Sequence, residues 1–398
     1  MYAPFKQLTI LHVATINKPI TAQMGYGPIE TVIYNIDKGL HALGHRSIVA
    51  CSSDSTVIGE KYSTISRSLG DYWRANTPEG QVRTDLHLSR ALERAERGDI
   101  DIVHMHEWFE RVYAGSFNPS VPIVTTLHVP GQHSGFAEFH ERYPNMLPRP
   151  LLHCIAISDY QKRQYDEVIT VMKTVSHGID VDDYLFKQDL NRGSYLFSIG
   201  RITRVKGQNI AIDVAKRAGT QLVLAGCIQD KQEDRAFFAR LKKSIDLVVD
   251  VSRYPVNADY YEAVMKPILS SKKQIIYIGE IGSAAKKHWY RQAQATLFPI
   301  QWGEPFGMVL IESMASGTPI VAFGEGAVPE IVKHGETGFV VNSVDAMVKA
   351  VGCLEQIERL SCWRHVKTHF SIQRMAEGYA AVYAQLAVVP SLSPARVA

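Results

Sequence analysis

Short runs of Ile, Val and Leu return along this chain with helix-patterned segments between them, and this repetition constrains the fold more than any other feature. LTILHVA (8–14), SIVAC (47–51), DIVHMH (101–106), PIVTTLH (122–128) and LLHCIAIS (151–158) show no strict alternation of apolar and polar residues. Strands of that kind are covered on both faces, as happens when helices cross over between parallel strands. Between the first two runs, Ile29, Val32, Ile33, Ile36 and Leu40 line one helix face, and a second helical pattern covers 86–97. The polar KQDLNRG (187–193) reads as a linker. A second series follows it: YLFSIG (195–200), a helix over 208–218, QLVLAG (221–226), a charged helix near 231–245, QIIYIG (274–279), ATLFPI (295–300), PIVAF (319–323) and TGFVV (337–341). At 398 residues the chain exceeds what one core supports, about 250–300 residues. The expectation is α/β: two doubly wound, Rossmann-like parallel-sheet domains, 1–187 and 188–370, facing across a cleft. An amphipathic helix over 371–386 is expected to pack back on the first. The segment 246–272 mixes an apolar run with two prolines and reads as an elaboration.

Composition excludes several classes. A net charge of +3 gives no polyanion-binding surface, so no nucleic-acid partner is expected, while a local basic patch leaves peripheral membrane contact open. No window approaches the roughly 18 apolar residues of a spanning helix. The N-terminal MYAPFKQLTILHVAT reads as a first strand and not as a signal peptide, so a cytoplasmic protein is expected. Five cysteines without CxxC spacing argue against a disulfide framework or structural zinc.

Open α/β sheets bind ligands at the carboxyl ends of their strands, which directs attention to two segments. In WGEPFGMVLIESMASGTPIVAF (302–323), Pro305 suits the first helical position, so Glu304 is expected at or just before the cap of a helix that runs to the Gly317-Thr318-Pro319 stop. Glu304 and Glu312 on such a helix would be separated by roughly 12 Å along its axis. That is too far for a glycosidase carboxylate pair, at roughly 5–9.5 Å. They could bracket a ligand polar at both ends and anionic between, such as the hexose, pyrophosphate and ribose of a nucleotide sugar. The N–H groups of Phe306, Gly307 and Met308 would then meet the pyrophosphate. SIGRITRVKG (198–207) adds Arg201 and Lys206, two cations in a loop after a strand.

With these residues in this order, nearly the whole chain resembles the retaining glycosyltransferases of family 4, which have the GT-B fold. The resemblance rests on the E-x7-E element at Glu304 and Glu312, the GR-x4-KG loop at 200–207, the ATLFPI strand, and SGTPIVAFGEGAVPEIVKHGETGFVV after it. It implies that Glu304 contacts the transferred hexose, Glu312 the ribose, Arg201 and Lys206 the diphosphate, and that the Gly279-Glu280-Ile281 turn borders the base. MGYGPIE (24–30) resembles the family's glycine-rich loop with Pro28 in place of a glycine, leaving Gly25 and Gly27 to approach the donor. His128 corresponds to a histidine beside the donor sugar. The implied catalytic set is His128, Glu304, Arg201 and Lys206.

The implied reaction moves a hexose from a nucleotide-diphosphate sugar, UDP-glucose by prevalence, to an acceptor hydroxyl. That hydroxyl attacks the face from which the diphosphate leaves, with no enzyme nucleophile and no required metal or other cofactor. The loop 129–144 is expected to meet the acceptor. His104 and His106 share a strand face but show no third metal ligand. The Asp-x-Asp pairs at 99/101 and 180/182 lie away from the donor elements. A nicotinamide-dependent oxidoreductase would place GxGxxG directly after the first strand, where NKPITAQMGYGPIE lacks it. A sugar-nucleotide epimerase, a phosphorylase-like enzyme and a non-catalytic nucleotide-sugar-binding protein stay open on the residues alone.

Overall fold

The computed structural model describes residues 7–22, 24, 27–70, 77–107, 119–130, 152–166, 169–186 and 193–387. The chain forms two compact units, the first from 1–22, 27–178 and 372–398, the second from 23–26 and 179–371. The division falls at Gly178, ahead of the polar stretch 187–193.

The first unit carries a seven-stranded sheet whose pairs are all parallel, in the order β3-β2-β1-β4-β5-β6-β7. These strands are β1 (Thr9–Val13), β2 (Arg46–Ser52), β3 (Glu60–Ile65), β4 (Ile102–Met105), β5 (Ile123–Thr126), β6 (Leu152–Ala156) and β7 (Val171–Thr174). In β4 and β5 every residue is buried, as expected for strands covered on both faces. Strand order reverses direction between β1 and β4, and at such a point the loops leaving neighbouring strands part and open a crevice.

The second unit repeats the plan with order β10-β11-β9-β8-β12-β13-β14. Its strands are β8 (Tyr195–Ile199), β9 (Gln221–Ala225), β10 (Leu247–Val248), β11 (Ile275–Tyr277), β12 (Ala295–Phe298), β13 (Ile320–Phe323) and β14 (Gly338–Val341). The reversal here lies between β8 and β12. The segment 246–272 supplies the two-residue edge strand β10 and a helical run over 261–269. Tyr260, just ahead of that run, and Val264, Met265 and Ile268 within it are buried in the core with Trp289 and Tyr290.

The final helix, Ile372–Ala387, belongs to the first unit and lies on the helix Pro28–Ala42. Gly39 makes that approach possible, since a Cβ there would meet Ala376 Cβ at 2.6 Å. Among the described residues no helix is long and apolar enough to cross a membrane.

Candidate functional site

Two loops leave the reversal point of the second sheet. After β8 comes Gly200 to Gly207, carrying Arg201 and Lys206; after β12 comes the segment that holds Glu304. Gly207 lies in the left-handed region (φ 71°), and a Cβ there would sit 2.0 Å from the Pro299 carbonyl oxygen, so only glycine lets the two loops touch. Contact brings the side chains together. Lys206 Nζ lies 2.6 Å from Glu304 Oε2, and Trp302 Nε1 donates to the same oxygen at 3.0 Å. The ammonium also faces the rings of Trp302 (5.4 Å) and Phe298 (5.8 Å).

Arg201 Nη1 donates to Gln229 Oε1 at 3.0 Å. Its Nε is buried without a hydrogen-bond partner, as is Gln208 Oε1, although Gln208 Nε2 donates to the Arg201 carbonyl at 2.8 Å. Buried polar atoms without partners are uncommon. The Arg201 guanidinium therefore keeps donor capacity in reserve.

Pro305 does not open the helix and Glu304 is not beside its cap, contrary to the expectation from the sequence. The helix is Met308–Ala315, capped by Gly307 in the left-handed region (φ 96°), and Glu304, Pro305 and Phe306 precede it. The cause is tertiary: Ala327 N donates to the Glu304 carbonyl at 2.9 Å, and Gly326 packs against the Glu304 backbone. That clamp overrides proline's preference for a first helical turn. The axial estimate of about 12 Å on a common helix is accordingly withdrawn, while the arrangement of one carboxylate before the helix and one within it stands. Met308 begins the helix, where the first N–H groups lack intrahelical partners and the dipole favours an anion.

The Gly326 clamp makes a prediction. Gly326 has φ 63°, and a Cβ there would lie 2.3 Å from the Glu304 oxygen and 2.4 Å from its nitrogen. Gly326→Ala is expected to cost more than about 1 kcal/mol and to lower turnover by displacing Glu304. Gly335→Ala is the control, because it shares the positive φ (79°) but has nothing within 4 Å. Equal melting temperatures and equal turnover in the two variants would refute the clamp.

Glu312 is buried and engaged. Lys286 Nζ reaches its Oε1 at 2.5 Å, and Tyr290 OH donates to its Oε2 at 3.1 Å. Burial, then the Glu312 charge, push the Tyr184 and Tyr290 hydroxyls well above the usual tyrosine range. Lys286 and Tyr290 were not found from the sequence. SAAKKHWYRQ carries no motif, and the signal available was two consecutive lysines on a helix following β11. The Ile281 side chain is buried in the apolar cluster of Trp289 and Tyr290, which leaves its backbone as the part available to a ligand.

In the first unit, the reversal between β1 and β4 gathers histidines. His106 Nδ1 lies 3.1 Å from His128 Nε2, and His106 Nε2 lies 3.4 Å from His12 Nδ1. The His128 ring is stacked on His177 at 5.9 Å. His12 is the third histidine that the sequence reading lacked: His12, His104 and His106 each place a nitrogen within 4.8 Å of the others. His104, however, has both ring nitrogens engaged, Nε2 with Thr126 Oγ1 and Nδ1 with Tyr383 OH, each at 2.7 Å. Desolvation holds the His12 and His128 imidazoles down to about 4, and His104, His106 and His177 well below the usual range.

Gly27 caps the helix Pro28–Ala42, its carbonyl accepting from Thr31 N at 2.9 Å. The buried Glu30 carboxylate accepts from Thr15 Oγ1 at 2.9 Å. Gly25, and the loop 129–144 from residue 131 onward, lie outside the described residues. Asp99 is taken up by Arg46 and Arg94, and Asp182 by Lys367.

Comparison with known proteins is consistent with this geometry. The profile for Glycosyltransferase Family 4 matches residues 27–183, and that for Glycosyl transferases group 1 matches 257–364. The chain belongs to glycosyltransferase family 4. This glycosyltransferase is 22% identical to a phosphatidyl-myo-inositol mannosyltransferase of Mycobacterium leprae, over 81% of its own length and 82% of that protein's. Its fold is similar to that of sucrose-phosphate synthase from Thermosynechococcus elongatus (TM-score 0.70, 18% identity, 96% and 99% of the two chains). It is also similar to Anabaena HepE, solved in complex with UDP-glucose (TM-score 0.66, 16% identity, 96% and 100%). The glycosyltransferase thus has the GT-B fold, with its two parallel sheets.

Proposed function

We propose that the glycosyltransferase binds a nucleotide-diphosphate sugar in its second unit and transfers the hexose, with retention, to an acceptor hydroxyl. UDP-glucose is the favoured donor. The observation that carries this reading is the Lys206–Glu304 contact just ahead of the helix Met308–Ala315, with Arg201 in the same loop as Lys206. A loop carrying two cations and a helix amino terminus are the elements that bind a diphosphate. The named relatives act on sugars, and HepE was solved holding UDP-glucose.

In the proposed reaction the bond from the anomeric carbon to the diphosphate oxygen breaks. The acceptor oxygen bonds to that carbon on the same face, and its proton passes to the departing phosphate. Lys206 and Arg201 stabilise the charge that develops on the diphosphate, a role that needs no divalent metal. On this reading Lys206 exchanges its partner Glu304 for phosphate oxygens as the donor enters, which frees the Glu304 carboxylate for the hexose hydroxyls. Glu312 receives the ribose diol, and by the family resemblance Gly25 and Gly27 are assigned to donor binding and His128 to the transferred hexose.

Thermal unfolding with UDP, GDP, ADP and their sugar conjugates tests the reading. One nucleoside diphosphate is expected to stabilise the protein by about 2.7 kcal/mol at 100 times its Kd. Glu312→Ala should lose most of that shift. No shift with any nucleotide would overturn the proposal, and epimerised or phosphorolysed donor without acceptor product would replace transfer by those chemistries.

A further inference from the structure

The row of histidines in the first unit does more than fill space. Burial keeps His12, His106 and His128 neutral at pH 7, so each ring carries one N–H and one lone pair. Three neutral rings joined by two hydrogen bonds cannot choose their tautomers independently, because each shared bond needs one donor and one acceptor. Only two proton arrangements satisfy both bonds. In one, His12 Nδ1–H donates to His106 Nε2, His106 Nδ1–H donates to His128 Nε2, and His128 carries its proton on Nδ1. In the other every proton is reversed.

The two differ at the buried end. His12 Nε2 is buried and has no hydrogen-bond partner. His104, whose ring centroid lies 5.2 Å from that of His12, has both nitrogens committed to Thr126 and Tyr383. The reversed arrangement would strand an N–H at His12 Nε2, whereas the first leaves only a lone pair there. Orphaned buried N–H groups are the rarer defect.

We propose that His12 and His106 are positioning residues that lock His128 as its Nδ1–H tautomer, so that His128 offers a hydrogen-bond donor to an oxygen of the sugar donor. His128 Nε2 is committed inward to His106, and no described residue bonds its Nδ1. The buried end at His12 also has nowhere to release a proton. The row therefore holds a tautomer and does not shuttle protons. The proposal rests on the reading of His128 as a residue serving the transferred hexose.

Histidine-selective 15N NMR on the full-length, ligand-free protein reads the tautomer directly. The expected result is His128 with Nδ1 protonated and Nε2 unprotonated; the opposite pattern, or fast averaging of the two, overturns the lock. Variants then test its origin. The amide of asparagine can stand in for Nδ1 of a histidine and that of glutamine for Nε2, so His106→Asn should keep the His128 pattern and His106→Gln should lose it. His12→Phe removes the far donor without touching His128. It moves the dead end to His106 Nε2, where a reversed row would strand an N–H just as it would at His12, so the His128 pattern is expected to hold. A flip of His128 to Nε2–H in folded His12→Phe refutes the dead-end argument. In kinetics, His106→Gln should lower kcat at least tenfold while His106→Asn stays within threefold of wild type; equal losses in both would mean a merely structural role. His128→Ala separates the two readings. Wild-type kinetics in that variant would sink the assignment of His128 to the hexose, while the NMR result on the row of histidines would stand on its own.

Discussion

Lys206→Ala is expected to lower kcat/KM by about 10²–10³-fold, equivalent to about 2.7–4 kcal/mol of lost charge stabilisation on the leaving diphosphate. The residue is held for that task on every side. Phe298 and Trp302 present ring faces to it, Glu304 carries the opposing charge at 2.6 Å, and Gly207 fixes its loop against the end of β12. If Lys206 acts on charge that develops only as the bond breaks, kcat and kcat/KM fall together and the donor KM holds nearly constant. A rise in KM alone would reassign it to ground-state binding. Lys206→Arg keeps the charge but brings a larger planar head into a space shaped for an ammonium, so only partial recovery is expected. Alanine also leaves Glu304, 12% exposed, with Trp302 as its remaining partner, so the variant should melt below wild type. Activity within threefold of wild type would remove Lys206 from the catalytic account.

The second large effect is on stability in acid. His12, His87 and His128 protonate at about 4 in the folded protein, and His104, His106 and His177 are likewise held well below the usual range, in each case chiefly because burial penalises the charged ring. In the unfolded chain they protonate near 6.5. Between those values the unfolded state holds more protons, so stability is full above about pH 6.5 and drains away as pH falls toward 4. The slope is about 1.4 kcal/mol per pH unit for each such histidine. All six belong to the first unit. In the second, among the described residues, only His288 and His365 are depressed, and the Ile331 carbonyl partly offsets the burial of His365. Calorimetry at pH 7.5 and 5.5 is therefore expected to show the first unit's transition falling by at least about 10 °C, with the second moving much less. Equal, small shifts in both would show that the buried histidines are hydrated in solution.

The parts of the fold that could be read from the chain are those with buried strands. β1, β2, β4, β5 and β6, and β8, β9 and β11–β14, each correspond to an apolar run. The strands that were not read, β3, β7 and β10, lie at sheet edges. An edge strand has one neighbour and one wet side, so EKYSTI and VMKT carry charges where an inner strand has Val and Ile. The site shows the same division. Glu304, Glu312, Arg201 and Lys206 were legible because each occupies a fixed place in a motif after a strand. Lys286, Tyr290 and His12 were not, because they reach their partners across the fold. The start of the helix at Met308 was misjudged for a related reason. Local chemistry at Pro305 favoured an earlier start, and the clamp by Gly326 and Ala327 lies more than twenty residues further along the chain.

The return of the last helix to the first unit has a consequence for synthesis. Tyr379 and Tyr383 close the histidine group, donating or accepting at Thr126 and His104, and Ala376 fits against Gly39. None of these contacts can form until the ribosome has translated the whole of Ile179–Ser371. At about 5–20 residues per second that interval lasts roughly 10–40 s. Throughout it the nascent first unit lacks one covering helix, and His104 and Thr126 lack their tyrosine partners. The second unit, whose segment is nearly continuous, can complete itself on emerging, so the half of the molecule made first is finished last.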